Sequence, residues 1–194
     1  MPIVTPELPS AALDAVRRAL AATGRYPRRT RGALSLTAPH QVFSVALDRL
    51  AAGDRIADVA ALSGWRALLE EDERVVAAVE LSGREPGRAG AVVNRGGFVD
   101  STESVLRAVE RHPRADAERL ELRLLRADAL YLLALWLHAA EAGDDLFFPL
   151  APAPSPLSAE KEYDSERFGA EVAELARSVG SAYDSADRPD ELGG

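Results

Sequence analysis

Apolar and polar residues alternate along this chain with two different periods. Over residues 10–23, Leu13, Val16 and Leu20 share one stripe, Ser10 stands ahead of it and Gly24 follows it. That spacing predicts a helix with a serine cap and a glycine stop. Residues 41–47 alternate weakly and predict a strand, and residues 48–62 predict one or two short helices broken near Gly53. From Trp65 to Leu81 the period is two. Trp65, Ala67 and Leu69 alternate with Arg66, Leu68 and Glu70, and after Glu71, Asp72 and Glu73 the pattern resumes at Val75, Ala77, Val79 and Leu81. This predicts a β-hairpin with an acidic turn.

Residues 82–99 are rich in glycine and predict a connection holding a short strand at 91–94. Asp100 and Glu103 then have capping-box spacing ahead of Val105, Leu106 and Val109, which predicts a helix opening at Asp100. Residues 119–137 carry two signals. Their alanine, leucine, glutamate and arginine favour a helix. Their pattern has a period of two, with Leu120, Leu122 and Leu124 and then Leu130, Leu132, Ala134 and Trp136 on one phase. The period favours two central strands turning near Ala127 and Asp128. Residues 145–150 predict one further strand. Residues 151–156 read as an extended, polyproline-like connector. Asp164 caps a final helix running to about Ser178, with Phe168, Val172 and Leu175 on one face.

These elements predict an α+β fold, a mainly antiparallel sheet with helices packed on one face. The expected organisation is a core over 1–150, a proline-rich connector over 151–157, a helix packing on the core over 158–180 and a disordered acidic tail over 181–194.

Composition narrows the function classes. The chain has 194 residues, 47% hydrophobic and 28% charged, which is ordinary globular composition. It has no cysteine, which removes disulfides, thiolate nucleophiles and zinc–thiolate sites. Its beginning has no basic and then apolar run of the secretory kind, and its longest apolar stretch is too short to span a bilayer, so a cytoplasmic location is expected. The net charge of −8, most of it beyond residue 157, argues against nucleic acid and membrane surfaces as partners.

Candidate chemistry is sparse. The histidines, His40, His112 and His138, lack metal-binding spacing. His138, Glu141, Asp144 and Asp145 lie close in sequence, but a polar turn leaving a strand explains them and no metal is expected. Residues 56–65 have the Ala60 to Gly64 separation of a helix-turn-helix, yet Glu70 to Glu73 fill the place of a recognition helix with negative charge. A local helix followed by a hairpin is expected instead. No serine elbow accompanies a histidine and a carboxylate, so the chain leans away from enzymatic function without excluding it, and no cofactor is expected.

Two segments remain. Arg84, Arg88 and Arg95 in the glycine-rich stretch, with Ser101 and Thr102 at the following helix, are candidates to hold an anionic small molecule. Phe147, Phe148 and Pro149 end a strand beside Pro152 and Pro154. Adjacent strand residues point to opposite faces, so this end is expected either to be a buried edge or to expose one phenylalanine as a docking point. The basic loop 25–31 can meet an acidic partner. The leading expectation is therefore a non-enzymatic interaction or assembly protein that binds another protein or itself. The alternative is an enzyme that binds an anionic ligand through residues 83–102.

Overall fold

The computed structural model describes residues 3–22, 34–83, 90–114, 119–139 and 144–186. Its elements run β1 (Ile3–Val4), α1 (Ser10–Ala22), β2 (Leu34–Ser44), α2 (Leu47–Ala52), α3 (Ile56–Val59), β3 (Ala61–Glu71), β4 (Arg74–Ser82), β5 (Ala91–Asn94), α4 (Gly97–Val109), β6 (Leu120–Ala127), β7 (Leu132–Ala139), β8 (Leu146–Pro149), β9 (Tyr163–Asp164) and α5 (Ser165–Ala186). The strands form one sheet in the order β5-β4-β3-β2-β6-β7-β8-β9, with β1 beside the first residues of β6. β1 and β2 run parallel to β6, and every other neighbouring pair is antiparallel. The α+β class and the mainly antiparallel sheet are as the pattern predicts.

The period of two wins over helix propensity in residues 120–139 because both faces of this hairpin are covered. Leu120, Leu122 and Leu124 are fully buried on one face, and Leu125 and Ala127 are buried on the other. Propensity is a weak preference, and burial of both phases of a strand overrides it. The turn is a short 3-10 segment, Asp128–Leu130, closed by Tyr131 with φ 51°. In the β3–β4 hairpin the acidic turn is two residues long. Asp72 and Glu73 both have positive φ, which suits the right-handed twist of the flanking strands.

Helices cover both faces, not one. Leu124 packs with Val105 and Val109 of α4, whereas its neighbour Leu125 packs with Phe168 and Val172 of α5. Likewise Leu68 packs beneath Val99 of α4, while Leu69 packs against Ala12, Ala15 and Val16 of α1. Successive strand residues point to opposite sides, so α4 holds one face while α1 and α5 share the other. β7 and β8 are apolar on both phases and need this double cover.

Several boundaries move. β2 begins at Leu34 rather than near residue 41, because its first half is paired to the end of β3. α4 begins at Gly97, three residues before Asp100. Gly96, with φ 102°, occupies the cap position and no side chain caps the helix. Residues 151–157 fold back instead of extending. Leu157 N–H donates to Pro154 O, Glu160 N–H donates to Pro149 O, and the Leu157 side chain is buried beside α5. Asp164 Oδ1 accepts the Arg167 N–H at 2.8 Å, so the predicted cap of α5 forms. That helix continues to Ala186, into the stretch expected to be disordered, and residues 187–194 lie outside those described. Residues 56–65 are α3 and the start of β3, with no second helix. No helix among the described residues is long and apolar enough to cross a membrane.

Candidate functional site

Three strands converge on one buried arginine. Arg66 shares its face of β3 with Leu68, and therefore points to the α4 side of the sheet. Directly opposite it on β4 is Glu80. A regular hairpin counted back from Glu71 and Arg74 sets Arg66 against Val79. A bulge between Leu69 and Glu70 shifts the register by one residue and brings Glu80 there instead. On β6, Arg126 lies two residues beyond Leu124 on the same face. Its Nη2 donates to Glu80 Oε2, and its Nε lies 3.8 Å from Asp128 Oδ1.

The environment of Arg66 is unusual. The residue is 1% exposed, and its Nε and Nη1 have no hydrogen-bond partner. Nε lies 3.6 Å from Glu80 Oε1, close enough for attraction but beyond a hydrogen bond. Burial pushes the guanidinium below its ordinary pKa, Glu80 opposes that, and Arg126 adds to it. A guanidinium starts so high that it still carries its charge at neutral pH. The fold thus keeps a buried cation with unused donors, an arrangement that costs stability.

These residues line a cleft of about 440 Å³. Arg66, Glu80, Arg126 and Asp128 bring charge to it, Asn94 at the end of β5 and the next residue, Arg95, join them, and Phe98, Val99, Leu132 and Leu133 give apolar walls. Tyr131 stands at the mouth with its side chain largely exposed. The first turn of α4 borders the cleft, but the Val99 and Asp100 N–H groups already donate to Gly96 O.

Beside Arg66 across the β2–β3 pairing lies His40, which is fully buried. Its Nδ1–H donates to Ala38 O at 2.7 Å, and its Nε2 is unpartnered. Burial, and secondarily the charge of Arg66, pushes the imidazole down to about 3 against the Ala38 hydrogen bond, which favours protonation. The ring is therefore neutral at physiological pH.

The residues singled out by sequence divide. Arg95 reaches the cleft. Arg84 and Arg88 lie outside the described residues. Ser101 and Thr102 do not face a ligand: both are buried, with Ser101 Oγ accepting the Ala151 N–H at 2.9 Å and Thr102 Oγ1 donating to Phe98 O at 2.6 Å. Phe147 and Phe148 are both buried, because helices cover both faces of β8. Phe147 stacks between Trp136 and Phe168, with centroids 5.7 and 4.4 Å away. Phe148 lies with Leu135 and Leu137 on the α4 side. Pro149 is buried, Pro154 half-buried and Pro152 exposed. β8 lies between β7 and β9, and both phenylalanines at its end are buried.

His138 and Asp145 do come together. Asp145 is buried, and its Oδ1 meets His138 Nδ1 at 3.0 Å and accepts the Ala139 N–H at 3.0 Å. Asp144 is exposed and Glu141 lies outside the described residues. Among the described residues, no group of three histidine or carboxylate side chains can hold a metal ion.

Comparison with protein-family models, with curated proteins and with solved structures gives no match for this chain.

Proposed function

We propose that the chain binds a small organic anion in the cleft between β3, β4, β6 and the start of α4. The observation that carries this reading is Arg66, a residue that lines the cleft and whose buried guanidinium has two donor nitrogens without a partner. An unpaired buried donor is expected where a ligand supplies the missing acceptor. Arg126 and Arg95 add positive charge at the same place. The interaction reading rested in part on Phe147 and Phe148, which belong to the core; the basic loop 25–31 and residues 187–194, on which it also rested, lie outside the described residues.

The reading is tested by thermal unfolding in acetate, sulfate and phosphate against chloride at matched ionic strength. An anion present at about ten times its dissociation constant raises the melting temperature by roughly 3–6 °C. Arg66→Met and Arg126→Gln each abolish most of that rise. Melting temperatures that are equal in every salt reject the reading.

A further inference from the structure

We infer that Tyr131 selects the ligand of the Arg66 cleft by laying its ring against the ligand's body, and that the ligand is an anion carrying a planar ring. The inference rests on the anion site proposed above and holds for a carboxylate and a phosphate alike. Tyr131 does little for the fold. It is 85% exposed, while its neighbours Leu130 and Leu132 are buried. Its backbone closes the turn between β6 and β7 in the left-handed region, with φ 51° and ψ 33°, and its N–H donates to Asp128 O. That conformation strains a residue with a Cβ more than it strains glycine. A large side chain is thus kept where a smaller residue holds the same turn with less strain, and it buries little surface against the protein.

Its place in the fold supplies a role. Among the described residues, two large hydrophobic side chains are exposed, Val92 and Tyr131. Tyr131 lines the cleft, and Val92 lies across the β4–β5 pairing from Glu80, another of the lining residues. The hydrophobic surface that the fold leaves uncovered is therefore gathered beside one charged cavity, the combination that marks a ligand site.

The lining also favours a ring over a chain. Phe98, half-buried in the first turn of α4, is the second aromatic residue of the cleft, so aromatic side chains reach it from two separate elements. Contact of ring with ring is favourable beyond the area it buries, a gain that an aliphatic body does not make. A planar ring then meets these side chains while its anionic group meets the unpartnered donors of Arg66.

The experiment is a calorimetric titration of the full chain with benzoate and phenyl phosphate, each against its cyclohexyl counterpart. It is repeated on Tyr131→Phe, Tyr131→Gly and Arg126→Gln, with a thermal melt of every chain in chloride. Whichever anionic group binds, the planar probe is expected to bind about two- to tenfold tighter than the cyclohexyl one, the scale of a stacking contact. Tyr131→Phe keeps that preference. Tyr131→Gly removes most of it and melts within about 2 °C of the native chain or above it, since strain is relieved and little buried surface is lost. Arg126→Gln weakens every probe about tenfold, as loss of a charge-assisted contact requires. Equal affinity for planar and cyclohexyl probes, a preference unchanged in Tyr131→Gly, or a Tyr131→Gly chain that melts several degrees lower overturns the role of Tyr131; the anion site still stands if Arg126→Gln weakens binding. No saturable binding of any probe, or affinities that Arg126→Gln leaves unchanged, overturns the anion site as well.

Discussion

Arg66 and Glu80 face each other across β3 and β4 with Nε and Oε1 3.6 Å apart, attracted but not bonded. Glu80 also accepts from Arg126, so one carboxylate holds two guanidinium groups. Removing its charge leaves Arg66 buried with no counter-ion. Glu80→Gln is expected to lower stability by about 3 kcal/mol, the scale found when one partner of a buried ion pair is removed. Urea unfolding at neutral pH measures this. A midpoint equal to that of the unmodified chain contradicts it.

His40 makes stability depend on pH. Folded, it takes a proton only near 3, against 6.5 when unperturbed. Between those values the unfolded chain binds more protons, so stability rises with pH there. The contribution is fully present above about pH 6.5 and is lost as pH falls toward 3, on the order of 5 kcal/mol in all. The stability difference between the native chain and His40→Gln therefore shrinks or reverses from pH 7 to pH 4. A difference that stays constant over that range argues against a buried neutral imidazole.

Gly64 has no room for a side chain. A Cβ at this position meets Leu81 O at 2.3 Å, and that atom belongs to the backbone of the neighbouring strand. Gly64→Ala must push β3 and β4 apart where Gly64 pairs with Ser82. The expected cost is about 2–3 kcal/mol, readable as a lower urea midpoint. Full stability in the alanine variant requires a different local register.

Phe147 and Phe148 serve the two cores on opposite faces of the sheet. Phe147→Ala is expected to cost about 3–5 kcal/mol. Phe147→Asp and Phe148→Asp each bury an unpaired carboxylate and unfold the domain, as loss of the far-ultraviolet dichroism shows. A folded Phe148→Asp variant returns this strand end to the list of docking surfaces.

Much of the architecture is legible in local pattern. The stripe of α1, the phase of the two hairpins and the Asp164 cap each rest on residues close in sequence. β1 and β9, two residues each, carry too little pattern to announce themselves. The start of α4 misleads because Asp100 and Glu103 have the spacing of a capping box, yet Gly96 supplies the cap four residues before Asp100. Double cover of the sheet has one sign in the sequence: β7 is apolar on both phases, with Leu132, Ala134 and Trp136 on one and Leu133, Leu135 and Leu137 on the other. Arg66 has no local mark of burial, because alternation places it with Glu70 on the phase opposite Trp65 and Ala67. Its partners were not legible. Glu80 arrives through a bulge, and Arg126 arrives through parallel pairing of β2 with β6, a contact between segments far apart in the chain. Ser101 and Thr102 lie in the second turn of a helix that starts at Gly97, not in its first, and their hydroxyls bond to backbone groups of the protein itself.

The most direct test is urea unfolding of the native chain and Arg66→Met, each in chloride and in benzoate. If Arg66 is kept for a ligand, methionine removes two unsatisfied buried donors and leaves Glu80 paired with Arg126. The variant is then at least as stable as the native chain in chloride and gains nothing from benzoate, while the native chain is stabilised by it. A variant that is several kcal/mol less stable, yet shows the same gain in benzoate as the native chain, makes Arg66 a structural ion-pair partner and contradicts the anion cleft.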